Sequence, residues 1–461
     1  MLRIIQSIAQ STPFREIRST CAIILVVIVV TASVSAFEAQ AGGNERAFDL
    51  ADSLEHEYRQ EQIALRGFTL KDYLTYAALN NSGLKAFFYN WKAELERSTK
   101  VSSLPDPVFT YSYFIEHVET RVGPQNHKFT LKQAFPWFGT LGAKGDVALE
   151  TANAAYEEFR SEKLKLFYDV KRAYIDYYVL GREIEITRAN ITLLKYWESV
   201  ARTKYKAALQ KHQDIIKVQV ELGKLEDRLL TLEEMKIPTA ARLRQVLDLS
   251  GTIELPVPEK LEDVEPSINF DNLKSDIIQN NPILKAVAHL IFKEEAAVKL
   301  AGKESLPKFM IGIDYIQTGE SVDPAMIDSG KDPLILNASI TLPIWFGKNK
   351  ANKDQAKARL EMARYNHRNK KNGLLALAEK IIFEYRDAAR RVELYRDGLI
   401  PKAEQSLNSS FTAYQAGETD FLNVIDAQRQ LIDFQLQLEY ALTNKATKLA
   451  EIEMLAGREM L

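Results

Sequence analysis

Two long stretches of this chain are versions of one another, and that duplication constrains the fold more than any single motif. "ALNNSGLKA" (Ala78 to Ala86) is matched by "IIQNNPILKA" (Ile277 to Ala286), with Asn80 and Asn280 lying 200 positions apart. "QAFPWFG" (Gln133 to Gly139) is matched by "TLPIWFG" (Thr341 to Gly347). "YKAALQKHQDIIKVQVEL" aligns with "YQAGETDFLNVIDAQRQL" at an offset of 209, from Tyr205 on Tyr414 to Gln219 on Gln428. Residues 69–251 and 269–457 therefore read as two copies of one unit. The Pro-rich segment 252–268, which contains "LPVPEKLEDVEP", is the linker.

Each copy has the same order: a helical lead-in, two alternating segments around a turn-rich loop, then a long helical hairpin. In the first copy Phe109, Tyr111, Tyr113 and Ile115 share one face, with Thr110, Ser112 and Glu116 on the other. The partner segment sets Phe129, Leu131 and Phe135 against Lys128, Thr130 and Lys132. In the second copy Phe309, Ile311, Ile313 and Tyr315 oppose Gly312 and Asp314, and Leu334, Leu336, Ala338 and Ile340 oppose Asn337 and Ser339. This is the period of two of strands with one apolar face. The loops are "ETRVGPQN" and "TGESVDPAMIDSGKD", and each strand is about 9–11 residues, the length of a tilted membrane strand.

A Pro-free run from Gly142 to the Tyr205 stretch follows; as one helix it would rise on the order of 100 Å. The returning run carries Leu222, Leu225, Leu229 and Leu232, matched by Leu431, Phe434, Leu438 and Ala441. Spacings of three and four mark a packed helical stripe. Pro401 interrupts the second long helix, where a kink is expected.

Arg3, Arg15 and Arg18 precede the apolar run "CAIILVVIVV", and "TASVSAFEAQA" follows it. A positive start, a short apolar stretch and small residues form a secretory signal, here residues 1–36, with Val34-Ser35-Ala36 and Ala39-Gln40-Ala41 both fitting cleavage. A membrane anchor is the alternative, but the run is short for a span. Residues 37–68 would be an N-terminal periplasmic segment and 458–461 a tail. Cys21, the one cysteine, lies inside the signal, so the exported chain has no disulfide framework. No later stretch of about 18 apolar residues follows.

Long paired helices must pack as extended coiled coils, and four strands per chain leave two raw sheet edges, which lipid does not tolerate. The strands must close with copies from other chains or belong to a soluble sheet. Two chains would supply eight strands and three would supply twelve. A wide lumen continuous with a helical tunnel suits three.

At this point the residues resemble a known family. The duplicated unit, "LKQAFPWFG", "YQAGETDFLNVIDAQRQL" and the terminal "LAEIEMLAG" are similar to the TolC-like outer-membrane efflux proteins, over nearly the whole mature chain. The resemblance implies an α+β membrane protein built as a homotrimer. Four strands per protomer would contribute to a shared 12-strand β-barrel in outer-membrane lipid of a Gram-negative bacterium, above a long α-helical coiled-coil barrel in the periplasm. It further implies a passive exit duct docked to a periplasmic adaptor protein and an inner-membrane pump. Type I protein secretion is the alternative use of such a duct, and a soluble periplasmic coiled-coil adaptor is the alternative protein.

The resemblance places an adaptor-docking tip at Ala207, Ala208 and Leu209 and at Ala416, Gly417 and Glu418; an ordinary interhelical turn is the plain alternative. Gly417 would permit a left-handed helix end, and Thr419-Asp420 offers an N-cap. Ala208 stands where Gly is usual, so the first turn is expected to differ in shape. Asp214 and Lys217, with Asn423 and Asp426 at and near the matching positions, would face the periplasmic entrance, where a ring of carboxylates favours cations; solvated helix-face charge is the other reading. Pro136, Trp137 and Gly139, with Pro343, Trp345 and Gly347, would form the barrel-to-helix junction. The prolines suit strand ends and the glycines a sharp bend, and the tryptophans either anchor at the membrane interface or pack in the junction.

With 60 basic and 62 acidic side chains, the chain has no basic excess for nucleic acid. No pair among His56, His117, His127, His212, His289 and His367 has metal-site spacing on one helix; His117 and His127 could approach across a strand hairpin. There is no phosphate loop and no nucleophile elbow. No enzyme, cofactor or metal is expected.

Overall fold

The computed structural model describes residues 45–59, 65, 67–207, 211–249, 253–261, 272–323 and 325–458. The signal assigned to residues 1–36 lies outside the described residues. The chain divides into two units, Met1–Arg59 and Gln60–Leu461. In the first, the one described element is helix α1, Glu45–Arg59.

The second unit repeats one order of elements. α2 (Leu70–Asn80) and α3 (Ser82–Ser102) lead into β1 (Val108–Thr120) and β2 (Gly123–Phe135). α4 (Thr140–Lys206) descends, and α5 (His212–Glu234) with α6 (Lys236–Leu247) returns. α7 (Leu273–Asn280) and α8 (Pro282–Glu304) then lead into β3 (Phe309–Thr318) and β4 (Leu334–Ile340). α9 (Phe346–Glu393), a π-helical stretch (Leu394–Leu399) and α10 (Ile400–Ala416) descend, and α11 (Phe421–Ala456) returns.

Local chemistry starts and stops these helices. Thr69 opens α2 with a capping box: its hydroxyl accepts from the Asp72 N–H at 3.2 Å, and its own N–H donates to the Asp72 carboxylate at 3.1 Å. Asn81 and Asn281 break the lead-in helices at matching points and cap α3 and α8. The α4 helix is 67 residues long, roughly 100 Å at 1.5 Å per residue. The kink expected at Pro401 takes the form of the π-helical turn just before it. A proline there donates no hydrogen bond and its ring crowds the carbonyl four residues back, so the ladder widens. The two returning arms differ for the same reason: Pro238, in the first turn of α6, coincides with the break between α5 and α6, while α11 runs 36 residues unbroken.

The four strands form one antiparallel sheet in the order β1-β2-β3-β4. Register aligns the apolar positions: Phe109 lies opposite Leu131, which faces Ile313, which faces Leu336. Tyr111, Phe129, Tyr315 and Leu334 form the next row. The sheet therefore has one continuous apolar face, and much of it is exposed, with Ile115 87%, Leu336 73% and Phe109 65% accessible. The other face carries Lys128 and Thr130 around Asp314, at 2.7 Å each. Two expectations change here. β1 and β2 are 13 residues each and β4 is 7, rather than 9–11 throughout. The first loop shrinks to Arg121-Val122, because pairing continues to Thr120 opposite Gly123; Gly123 takes φ +128, open to a residue without Cβ.

The helices bury their stripes against each other. Leu222 and Leu225 of α5 and Phe434 of α11 pack against a cluster centred on Trp197, Val218, Leu407, Tyr414, Phe421 and Val424. A second cluster joins Leu273, Ile277 and Leu284 to Leu374, Ile381, Ile452 and Leu455. Between α3 and α4, Trp91 stacks on Phe159 with centroids 6.3 Å apart. No helix among the described residues is long and apolar enough to cross a membrane, a statement that does not bear on strands.

Candidate functional site

The turn between α10 and α11 is built from three devices. Gly417 ends α10 in the left-handed region at φ +82, and the Glu418 N–H donates back to the Ala413 carbonyl at 2.9 Å. Asp420 caps α11 by accepting from the Leu422 N–H at 3.0 Å. Beneath the turn, Tyr414 and Phe421 are fully buried and meet edge to face at 4.9 Å. Ala416, Gly417 and Glu418 are exposed. In the first copy Ala207 is exposed at the end of α4, and Ala208 and Leu209 lie outside the described residues.

The two hairpins are tied together at this end by contacts between distant residues, and of these residues the sequence had singled out only Lys217 and Asp420. Lys204 of α4 donates to the carbonyls of Tyr414 (3.0 Å) and Gln415 (2.6 Å), with its ammonium 5.0 Å from the Tyr414 ring centre. A cation on the last carbonyls of α10 meets the negative end of that helix. Lys217 pairs with Asp420 at 3.3 Å, and Arg429 of α11 grips Glu221 of α5. Only the Asp420 cap had a local signal. Lys204 and Arg429 reach partners some 200 positions away, which no short window reveals.

The four expected entrance residues do not share one environment. Asp214 is buried, and burial raises its pKa above the usual carboxylate range, with the nearby charge of Asp420 adding to the shift and Lys217 and Lys211 opposing it. Lys217 is half-buried and engaged by Asp420. Asn423 is exposed, its amide donating to Thr419 at 2.6 Å, and Asp426 is exposed with Arg429 at 3.4 Å. Asp214 and Asp426 therefore do not form one open acidic face. The expected equivalence of Asp214 and Asn423 fails because the first lies under Tyr414 and Asp420, whereas the second sits on the outside of its turn.

At the other end, Trp137 stacks on Phe309 at 5.6 Å and is half-buried, which is packing within the junction. Trp345 is 72% exposed. Gly139 takes φ +73 at the start of α4, the bend expected of it, with Lys303 donating to the neighbouring Phe138 carbonyl at 3.3 Å. Gly347 does not make a bend: it lies inside the first turn of α9, and a Cβ there would meet open space. The second bend is made instead around Trp345, at φ −84 and ψ 72. Pro136 and Pro343 both fall just beyond their strands. His117 and His127 do come to one hairpin, but on either side of Tyr113, and His127 bonds the Tyr111 hydroxyl at 2.8 Å.

An exposed apolar sheet face with two free edges, continuous with helices of 67 and 48 residues, is an architecture known from solved structures. The outer membrane protein VceC of Vibrio cholerae superimposes with a TM-score of 0.68 at 17% identity, covering 84% of this chain and 96% of that one. Residues 273–458, nearly all of the second copy, match the outer membrane efflux protein family model. Its second half is thus similar to the outer membrane efflux proteins. Nodulation protein T of Rhizobium leguminosarum bv. trifolii is 19% identical over 373 residues, 78% of each chain. The toluene efflux pump outer membrane protein TtgI of Pseudomonas putida is 23% identical over 334 residues, 65% of this chain and 64% of that protein. In this chain, the free edges of β1 and β4 and the apolar sheet face are the surfaces that a single copy leaves unsatisfied.

Proposed function

We propose that three copies of this chain close their sheets into a twelve-strand barrel in the outer membrane and their helices into a periplasmic tunnel. The assembly is a passive exit duct for an efflux system. The observation that carries this reading is the sheet itself: one face is apolar and exposed across all four strands, and both edges are unpaired. In water that surface drives aggregation, and in lipid the edges must be satisfied by further strands. The network of Lys128, Thr130 and Asp314 on the opposite face fits a wet lumen.

In this reading the exposed turn of Ala416, Gly417 and Glu418 docks a periplasmic adaptor that links the duct to an inner-membrane pump, and Ala207, Ala208 and Leu209 of the first copy belong to the same docking tip. Asp426, rather than buried Asp214, carries the charge at the entrance. The efflux-pump relative named above supports small-molecule efflux over protein secretion.

The test is to extract the protein from membranes in detergent, measure its mass, and reconstitute it in a planar bilayer. A particle of three chains that conducts is expected. A detergent-independent monomer without conductance would overturn the proposal.

A further inference from the structure

We propose that a groove directly beneath the sheet binds one acidic phospholipid from the adjoining membrane leaflet. This rests on the placement of the sheet in a bilayer given above. α4 is flanked by α3 on one side and α8 on the other, and a cavity of about 790 Å³ lies over it between these flanks. That is within the roughly 300–1,000 Å³ of small-molecule sites. Pro105, three residues before β1, and Pro136, directly after β2, both line it, so it reaches the end of the sheet. Leu104, Leu141 and Leu300 give it an apolar lining.

The charge on the groove is basic. Lys100, in the last turns of α3, and Lys144, near the start of α4, both line it, and among the described residues neither forms an ion pair. The other basic residues lining it, Arg97 and Lys293, are already matched by Glu94 (3.1 Å) and Glu294 (3.5 Å). Asp106 is the acid that lines the groove itself. At 1.5 Å per residue, Lys144 sits about 6 Å along the helix from Thr140, the depth of the headgroup layer, which extends roughly 5–8 Å beyond the hydrocarbon.

Apolar lining with two unpaired lysines at headgroup depth is the chemistry of an amphiphile with an anionic head: the acyl chain follows the leucines and the phosphodiester meets the ammonium groups. A free inorganic anion would leave the leucines uncovered.

The full-length protein in detergent is titrated with phosphatidylglycerol and with phosphatidylcholine, and retained lipid is read by native mass spectrometry. Phosphatidylglycerol is expected to bind in preference. Each lysine contributes about fivefold, so K100Q/K144Q should weaken that binding about thirtyfold, leave phosphatidylcholine unchanged, and keep bilayer conductance. K100R/K144R should restore binding. Equal retention of the two lipids, undiminished binding in K100Q/K144Q, or displacement by millimolar inorganic phosphate would each overturn the site. Detergent dependence and conductance of the same preparation test the membrane placement separately: a conducting protein indifferent to phosphatidylglycerol sinks only the lipid site.

Discussion

Asn81 and Asn281 make the same two side-chain bonds, 200 positions apart. Each accepts a hydrogen bond from the N–H three residues on, Leu84 at 2.9 Å and Leu284 at 3.1 Å. Each donates across the fold to the carbonyl that ends its own unit, Val246 or Leu455, both at 2.9 Å. One side chain thus caps a lead-in helix and ties it to the end of the returning arm. Asn281 is 2% exposed and Asn81 is half-buried. Asn281→Ala should therefore cost about 2–3 kcal/mol and Asn81→Ala about 1–2, the cap plus a stranded carbonyl that water reaches only in the second case. Chemical denaturation of both variants checks the order, and Asn281→Asp should recover only the cap.

Two glycines with nearly the same backbone angles should respond differently to alanine. Gly457 has φ +72, and a Cβ there would fall 2.4 Å from the Asn280 carbonyl oxygen. Gly417 has φ +82 with nothing within 4 Å. Gly417→Ala pays only the left-handed strain, about 1–2 kcal/mol. Gly457→Ala must also displace backbone and should cost about 2 kcal/mol more. Thermal unfolding separates them, and equal shifts would contradict the crowding at Gly457.

Lys204→Met removes the cation from the last carbonyls of α10 while keeping the aliphatic stem. The expected cost is about 0.5–1 kcal/mol, expressed locally as faster amide exchange at Gly417 and Glu418. Exchange that quickens equally through α3 and α8 would point to a global effect instead.

Burial of Asp214 raises its pKa in the folded chain, so in the window between its unfolded and folded values the native state binds more protons. Stability at this end should rise as pH falls through that window and be fully present below the unfolded value; above the folded value that contribution is absent and a buried charge must be held. Asp214→Asn should stabilise the region at neutral pH and flatten this dependence. A pH series of proteolysis at the α10–α11 turn reads both effects. Loss of stability at neutral pH in Asp214→Asn would contradict the assignment.

Asp426 and Asp214 differ in exposure, and conduction should report it. Asp426→Ala is expected to reduce cation preference in a bilayer by a factor of a few, whereas Asp214→Asn should leave it unchanged. Reversal potentials under a salt gradient measure this, and an unaltered preference in Asp426→Ala removes the charge ring from the account.

The period-two faces of Phe109 to Ile115 and Phe309 to Tyr315, the stripe from Leu222 to Leu232, and the helix end at Gly417 were all legible, because each is set by residues within one or two turns of each other. Less legible was the environment of a polar side chain. Asp214 and Asn423 occupy equivalent positions, yet one is buried beneath Tyr414 and the other is exposed. Gly347 copies Gly139 by alignment, yet only Gly139 has a positive φ.

Sequence by itself determined the duplicated order of elements, the apolar face of each strand and the length of the descending helix, since local periodicity and the placement of proline and glycine dictate these. Tertiary structure alone decided which strands neighbour which, that Lys204 would cap a helix some 200 positions away, and that the kink at Pro401 would take the form of a π-helical turn. Those outcomes depend on distant groups competing for the same space and the same carbonyls, and that competition exists only once the chain has packed.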